Sequence, residues 1–101
     1  MTYEIRFTAD ALSDLRKYNH WYEKKRGGLG ARFGEAVGDQ TKYLEEAPEL
    51  YRIYYRDIRR CSVRNFPYEI YYRLVGNTVV ILAVYGVRQD PTKIQERLSL
   101  E

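Results

Sequence analysis

Arginine and tyrosine are interleaved in the stretch from residue 51 to residue 73, which holds six of each and no lysine. Arginine carries a permanent charge on a planar group that binds phosphates or carboxylates in a bidentate way, and tyrosine offers a ring for stacking and a polar hydroxyl. This composition favours an anion-binding surface. The alternative is a strand-rich segment in which tyrosines pack in the core and arginines cover the solvent side.

The charge of the chain is unevenly distributed, although the net charge of the 101 residues is only +3. Residues 1–50 hold eight Lys or Arg against nine Asp or Glu, whereas residues 51–101 hold nine against five. An excess of this kind favours an acidic partner or a polyanion for the second half of the chain.

The composition also disfavours several classes of protein. The apolar runs are too short to cross a bilayer, and the N-terminus lacks the pattern of an export signal, so we expect a cytoplasmic protein without a membrane partner. With one cysteine, Cys61, and one histidine, His20, the chain has neither an internal disulfide nor a thiolate and imidazole zinc site. We therefore expect no metal and no cofactor.

The first half of the chain predicts one strand and two helices. Residues 3–7 alternate apolar and charged side chains, which is typical of a half-buried strand. Thr8 is a suitable N-cap for a helix that ends at Gly27, and a second helix runs from residue 30 to Pro48. Glycines 34 and 38 lie one turn apart on this second helix and predict a close approach of the first helix there.

The second half predicts a sheet, because hydrophobicity changes to a period of two. We expect strands over residues 51–55, 59–66, 68–75 and 78–86, with a terminal helix from Pro91 to about residue 98. Residues 79–84 are almost all apolar, so the last strand should be covered on both faces. The expected fold is α+β: one domain over residues 1–101 in the order β-α-α-β-β-β-β-α, with an antiparallel helical hairpin on one face of a mainly antiparallel sheet.

Alternation along the strands predicts which arginines and tyrosines share the open face of this sheet. If Cys61 and Val63 face the helices, Arg60 and Arg64 point outward together. Glu69, alternatively, forms a cross-strand ion pair with one of them. The candidate anion-binding or target-binding residues are Arg59, Arg60, Arg64, Tyr71, Arg73, Tyr85 and Arg88.

Three motifs support a family resemblance: Ala-Pro-Glu-Leu-Tyr at residues 47–51, Arg-Asn-Phe-Pro-Tyr at 64–68, and Val-Tyr-Gly-Val-Arg-Gln-Asp-Pro at 84–91. Together with the element order, they resemble the RelE/ParE superfamily, the toxins of bacterial type II toxin-antitoxin systems. The resemblance extends over almost the whole chain. It implies a small sheet with a helical hairpin on one side and a cognate antitoxin as partner.

The superfamily has two branches with different targets: RelE-like toxins cut messenger RNA on the ribosome, and ParE-like toxins poison DNA gyrase. The RelE resemblance implies that Arg64 and Arg88 stabilise the phosphate. By their chemistry, Tyr85 and Glu69 are the candidates for proton transfer. The lysines of RelE-like strands and their C-terminal tyrosine are missing here. Arginine stays protonated, so it is a poor acid or base for RNA cleavage.

We therefore expect a gyrase-inhibiting toxin of a plasmid stabilisation-like system, neutralised by its antitoxin. The alternatives are a ribosome-dependent endoribonuclease that uses Arg64, Arg88 and Tyr85, and a non-toxic module whose basic face binds an acidic segment.

Overall fold

The computed structural model describes residues 2–101 and contains five strands and three α-helices, in the order predicted from the sequence. The α+β expectation is confirmed. Within these residues, no helix combines the length and the apolar character needed to span a membrane. The elements are β1 (Glu4–Phe7), α1 (Ala9–Lys25), α2 (Leu29–Glu46), a 3-10 turn (Pro48–Leu50), β2 (Ile53–Tyr55), β3 (Ile58–Ser62), β4 (Tyr68–Val75), β5 (Thr78–Gly86) and α3 (Pro91–Ser99).

The strands form one sheet in the order β1-β5-β4-β3-β2. Strands β2 to β5 are an antiparallel meander, and β1 pairs with β5 in parallel, with Ile5 opposite Val79. The α1–α2 hairpin carries the chain from β1 at one edge of the sheet to β2 at the other, and the meander returns to place β5 beside β1. β5 is therefore an interior strand, as its apolar run predicted.

Side-chain caps set the starts of the helices. The hydroxyl of Thr8 accepts from the Ala11 N–H at 3.1 Å, which confirms the predicted N-cap of α1. At α3, the Asp90 carboxylate accepts from the Thr92 N–H at 3.0 Å. α2 has no such cap of its own; instead the Glu23 carboxylate on α1 accepts from the N–H of Gly28 and of Gly30 at 3.0–3.1 Å. That carboxylate ties the two helices together at their connection.

α1 and α2 lie in close contact at Gly30. A Cβ added to Gly30 would lie 2.7 Å from the Asn19 carbonyl oxygen, so only glycine fits. The prediction for Gly34 and Gly38 was wrong, since an added Cβ would meet nothing within 4 Å at Gly38 and only an Asn19 amide nitrogen at 3.6 Å at Gly34. The short connection after α1 brings the helices together at that end of the hairpin.

The main core lies between the helical hairpin and one face of the sheet. Phe33 of α2 is fully buried and makes edge contacts with Phe66 and Tyr68 at centroid distances of 5.3 and 5.1 Å. Ile70 and Tyr72 of β4 face the same core, as the alternation predicted. The Tyr72 hydroxyl donates to the Pro48 carbonyl at 2.7 Å, which satisfies the polar end of this buried ring.

Helix α3 packs on the opposite face of the sheet, where Ile94 and Leu98 contact a smaller core. β5 carries a bulge there: Tyr71 pairs with Ala83 but Tyr72 pairs with Ile81, so Leu82 is an extra residue. Leu82 and Ala83 consequently both face α3. Tyr71 lies on the outer face, as predicted, but α3 leaves it only 4% exposed.

Two charged side chains bind the backbone of β5 beyond the point where its pairing with β1 ends. The Val84 N–H donates to Asp14 Oδ2 at 2.9 Å, and Arg97 Nη2 donates to the Leu82 carbonyl at 2.9 Å. Asp14 and Arg97 also form a bidentate pair at 2.8–2.9 Å, and this carboxylate raises the pKa of Arg97. The network joins α1 to α3 around the sheet edge and satisfies backbone groups that β1 does not reach.

Candidate functional site

A cleft of about 250 Å³ opens on the outer face of the sheet, between β3, β4, β5 and the start of α3. We call it the outer cleft. Of the seven candidate residues, Arg60, Tyr71 and Tyr85 line it. Tyr54, Glu69 and Gln89 complete its polar and aromatic lining.

The register of three neighbouring strands brings these residues together. Arg60 on β3 lies opposite Tyr71 on β4, and Glu69 lies between Ser62 on β3 and Tyr85 on β5. Residues directly opposite each other in adjacent strands project to the same face of the sheet. Alternation along β3 and β4 was sufficient to predict this part of the site.

Arg60 is the cation of the outer cleft. Its guanidinium carbon lies 4.3 Å from the centroid of the Tyr54 ring, and Tyr54 in turn packs edge-on against Tyr71 at 5.4 Å. Within residues 2–101, no carboxylate oxygen lies within 4 Å of Arg60. A guanidinium held over a ring can still donate hydrogen bonds from its N–H edge, so Arg60 can bind an external acceptor.

Glu69 lines the same cleft as Arg60 but does not pair with it. The predicted ion pair of Glu69 with Arg60 or Arg64 was wrong, because its carboxylate instead accepts from the Ser62 hydroxyl at 3.4–3.5 Å. These are long hydrogen bonds. The outer cleft therefore presents one cation and one weakly held carboxylate.

The hydroxyls of Tyr71 and Tyr85 in the outer cleft are hydrogen-bonding groups rather than bases. Burial raises the pKa of Tyr71, although Arg60 opposes this effect, and burial also raises the pKa of Tyr85. The Tyr85 hydroxyl donates to the Asp90 carbonyl at 2.6 Å, which ties β5 to the start of α3. Phenols with raised pKa values stay protonated at neutral pH.

Arg64 and Arg88 lie outside the outer cleft. The prediction that Arg64 points outward with Arg60 was wrong, because β3 ends at Ser62 and Arg64 sits in the following turn. There it lines a groove with Asp39 and other residues of α2, on the helical side. Arg88 is exposed in the turn between β5 and α3, beside the cleft rather than in its lining.

Arg59 and Arg73 have internal partners. Arg59, a candidate binding residue, lies on the helical side of β3 and donates to the carbonyls of Glu49 and Tyr51 at 3.1 and 2.6 Å. It therefore does not line the outer cleft. Arg73 forms a bidentate pair with Asp57 at 3.0 and 3.2 Å, and this pair lowers the pKa of Asp57.

Two of the polar and aromatic residues of the cleft were missed by reasoning from the sequence. Tyr54 lies in the arginine-tyrosine stretch, but a register irregularity between Ile53 and Tyr55 obscures the face to which β2 directs it. Gln89 follows β5 in a turn, where no periodicity applies. Its Oε1 accepts from the Gly86 N–H and from the Tyr18 hydroxyl, both at 3.0 Å. Only the folded chain shows these contacts.

Comparison with known proteins identifies the family. The model of the family described as "ParE toxin of type II toxin-antitoxin system, parDE" matches residues 5–91. No curated protein sequence is significantly similar to the chain.

Several solved structures share the fold. One from the chromosomal ParDE system of P. aeruginosa is 19% identical, with a TM-score of 0.78, covering 86% of this chain and 98% of that one. Another, from the toxin-antitoxin complex RelBE2 of Mycobacterium tuberculosis, is 27% identical, with a TM-score of 0.64, covering 85% and 99%. A mutant E. coli toxin RelE in the free state is 20% identical, with a TM-score of 0.69, covering 98% and 93%. Because the family model matches most of the chain, this protein belongs to the ParE toxin family of type II toxin-antitoxin systems.

Proposed function

We propose that the protein inhibits DNA gyrase in the cytoplasm, acting as one toxin domain over residues 1–101. The match to a model of ParE toxins supports this branch of the superfamily over the RelE branch. Inhibition of this kind needs a binding surface and no bond-breaking chemistry by the toxin itself.

The observation that carries the proposal is the separation of the three residues expected for RNA cleavage. Arg64 lies beside α2, Arg88 lies in the turn after β5, and only Tyr85 lines the outer cleft. Cleavage through a 2′-hydroxyl needs a base and an acid within hydrogen-bond reach of the same phosphate. This arrangement favours a binder over a nuclease.

The surface that we propose for the target is the outer cleft together with the adjacent Arg88. Arginine and tyrosine dominate the energetics of protein interfaces, because they combine large contact areas with directed hydrogen bonds. Arg60 is held in place by Tyr54 before any partner arrives. Preorganisation of this kind lowers the entropy cost of binding.

Supercoiling by purified gyrase tests the proposal. The wild-type toxin should inhibit the reaction, and Arg60→Ala should weaken inhibition by about tenfold or more, as expected for an interface hot spot. Arg6→Ala is the matched control: it removes the same charge from an exposed arginine on β1, at the opposite edge of the sheet from β2. Full gyrase activity at a large molar excess of toxin would exclude gyrase as the target. Equal inhibition by Arg60→Ala and wild type would instead exclude only the outer cleft as the gyrase-binding surface.

A ribosome-dependent endoribonuclease is the second candidate, favoured by one observation: Arg60, Glu69 and Tyr85 line the same cleft. A cation, a carboxylate and a phenol could stabilise a phosphorane and move protons. If this candidate holds, messenger RNA is cut only on translating ribosomes, and Glu69→Gln abolishes cutting. Intact ribosome-bound transcripts would exclude the endoribonuclease.

The third alternative is a non-toxic binding module. Such a module would leave growth unchanged when the chain is expressed alone.

We also propose a cognate antitoxin as partner. The RelBE2 structure is that of a toxin-antitoxin complex, and such partners commonly fold on contact with a preformed surface. Co-expression with the product of a neighbouring reading frame should restore growth and yield a complex that co-purifies. Growth arrest that no neighbouring product relieves would contradict this part of the proposal.

A further inference from the structure

A second cavity lies on the other side of the turn after β5, between the second half of α1 and the ends of β4 and β5. Its volume is about 570 Å³, more than twice that of the outer cleft. Trp21 and Tyr68 contribute aromatic surface to it, and Lys17, His20 and Lys24 contribute polar ends. We call it the Trp21 groove.

The polar and aromatic residues of the groove follow one face of α1. Lys17, Trp21 and Lys24 are spaced by four and three residues, so they lie one above the other along the helix. Trp21 is 51% exposed, and it is the only tryptophan of the chain. An exposed tryptophan between lysines leaves a large apolar area accessible, which is a common mark of a binding surface.

The rim of the groove is cationic. Among residues 2–101, no carboxylate lines the groove, and neither Lys17 nor Lys24 has an acidic partner within 4 Å. Asp14, nearly one turn before Lys17 on α1, is already bound to Arg97. The two lysines are therefore available to carboxylates of another molecule, spaced about two helical turns apart.

The rings of the groove already have aromatic or cationic neighbours, which disfavours stacking of nucleic-acid bases. Tyr18 and Tyr68 pack at a centroid distance of 4.6 Å, and Trp21 packs perpendicular to Tyr22 at 5.0 Å. The Lys25 ammonium lies 4.9 Å above the Trp21 ring. Base stacking needs an open ring face, whereas an apolar side chain needs only a crevice of matching shape.

We infer that the Trp21 groove binds an acidic protein segment that inserts one large apolar side chain beside Trp21 and places carboxylates near Lys17 and Lys24. The segment follows α1, as an amphipathic helix does in a groove. The inference does not depend on the identity of the toxin's target. It places a partner on a surface separate from Arg60.

The emission of Trp21 provides a direct test in the full-length protein, because no other tryptophan contributes. The probe is a short, tryptophan-free, glutamate-rich helical peptide with a central phenylalanine. The matched peptides replace that phenylalanine with alanine, or the glutamates with lysines, and an oligothymidine tests the nucleic-acid alternative. We expect a saturable change with the first peptide, weaker at high salt because the charges are exposed.

Charge reversal on the groove sharpens the test. Lys17→Glu combined with Lys24→Glu should weaken binding of the acidic peptide by about tenfold. The control, Lys42→Glu combined with Lys93→Glu, makes the same change of net charge on α2 and α3 and should leave binding unchanged. Thermal melting of both variants monitors folding.

Three outcomes would overturn the inference: tighter binding of oligothymidine than of the acidic peptide, equal binding of the peptides with and without the phenylalanine, or equal weakening by both pairs of substitutions. Each would show that the groove lacks the preference assigned to it.

Discussion

The two faces of the sheet use the same residue types for different purposes. On the helical side, two helices cover the sheet and seal a core rich in aromatic rings. On the outer side, the single short helix α3 covers part of the sheet and leaves the outer cleft open. The closed face stabilises the fold, and the half-covered face keeps polar groups that can meet another molecule.

Arg59 and Arg60 show this difference at neighbouring positions of β3. Arg59 projects to the helical side, where backbone carbonyls of the segment after α2 occupy its donors. Arg60 projects to the outer side, lies over the Tyr54 ring and, among the described residues, has no carboxylate within 4 Å. Sequence position alone does not distinguish a structural arginine from a binding arginine; the face of the strand does.

The largest effect is expected from opening the core on the helical side. Phe33→Ala should lower the free energy of unfolding by about 3–5 kcal/mol, because Phe33 is fully buried and a cavity remains. Tyr43→Ala is the matched control, since Tyr43 lies on the same helix but is 61% exposed. Chemical denaturation measures both changes. If the two variants lost similar free energies of unfolding, α2 would not have one buried and one exposed face.

The next largest effect concerns the link between the two faces. Asp14→Ala should lower the free energy of unfolding by about 2–3 kcal/mol, because it leaves the Val84 N–H and the guanidinium of Arg97 without their acceptor. Asp57→Ala breaks the more exposed pair with Arg73 and should cost less than about 1 kcal/mol. Equal losses in denaturation experiments would show that the link at the edge of β5 adds nothing beyond a surface ion pair.

The neighbouring arginines should separate stability from binding. Arg59→Ala should cost about 1–2 kcal/mol through its two hydrogen bonds to carbonyls. Arg60→Ala should change stability by less than about 0.5 kcal/mol, as surface substitutions usually do, while weakening inhibition of the target. Melting temperatures and supercoiling assays on the same preparations check both. The reverse pattern would exchange the roles assigned to the two faces.

The smallest effects at neutral pH are expected from titration, and with changing pH they have opposite signs on the two faces. On the helical side, burial raises the pKa of Tyr18 to about 12, so the unfolded chain loses this proton first. The contribution of Tyr18 to the free energy of unfolding is therefore complete below about pH 10 and is lost as the pH rises toward 12. On the outer side, Arg73 lowers the pKa of Asp57 below 3.8, so its contribution is present above that pH and is lost below it.

Melting temperature against pH distinguishes these two contributions. Tyr18→Phe should flatten only part of the alkaline decline, because burial also raises the pKa values of Cys61, Tyr68 and Tyr72. Asp57→Asn should flatten a small part of the acid decline. An alkaline decline unaffected by Tyr18→Phe would assign it to other groups.

Periodic stretches were predictable and irregular ones were not. The helices, the strands β4 and β5 and the faces of Ile70 and Tyr71 follow from local spacing, which a regular backbone converts directly into direction. The wrong predictions concern residues beyond the ends of regular strands. Arg64 lies beyond the end of β3, and Asn65 in the same turn has a φ of +68°, so alternation does not extend to it.

The resemblance to RelE/ParE toxins could be recognised from the motifs, and the family match confirms it. The site could be predicted only in part. Arg60, Tyr71 and Tyr85 were identified and lie together, whereas Tyr54 and Gln89 join them through a shifted register and a turn. Contacts between segments distant in the chain carry no signal in local spacing.

The amino-acid sequence by itself determined the order of the elements, the interior position of β5 and the concentration of arginine and tyrosine in the second half of the chain. These properties depend on local periodicity and composition. Only the tertiary structure decided which guanidinium groups bind carboxylates or carbonyls of the chain itself and which one lines the outer cleft. That outcome depends on where strands end, where β5 bulges and how much of the sheet α3 covers, and these are set by packing between segments far apart in the chain.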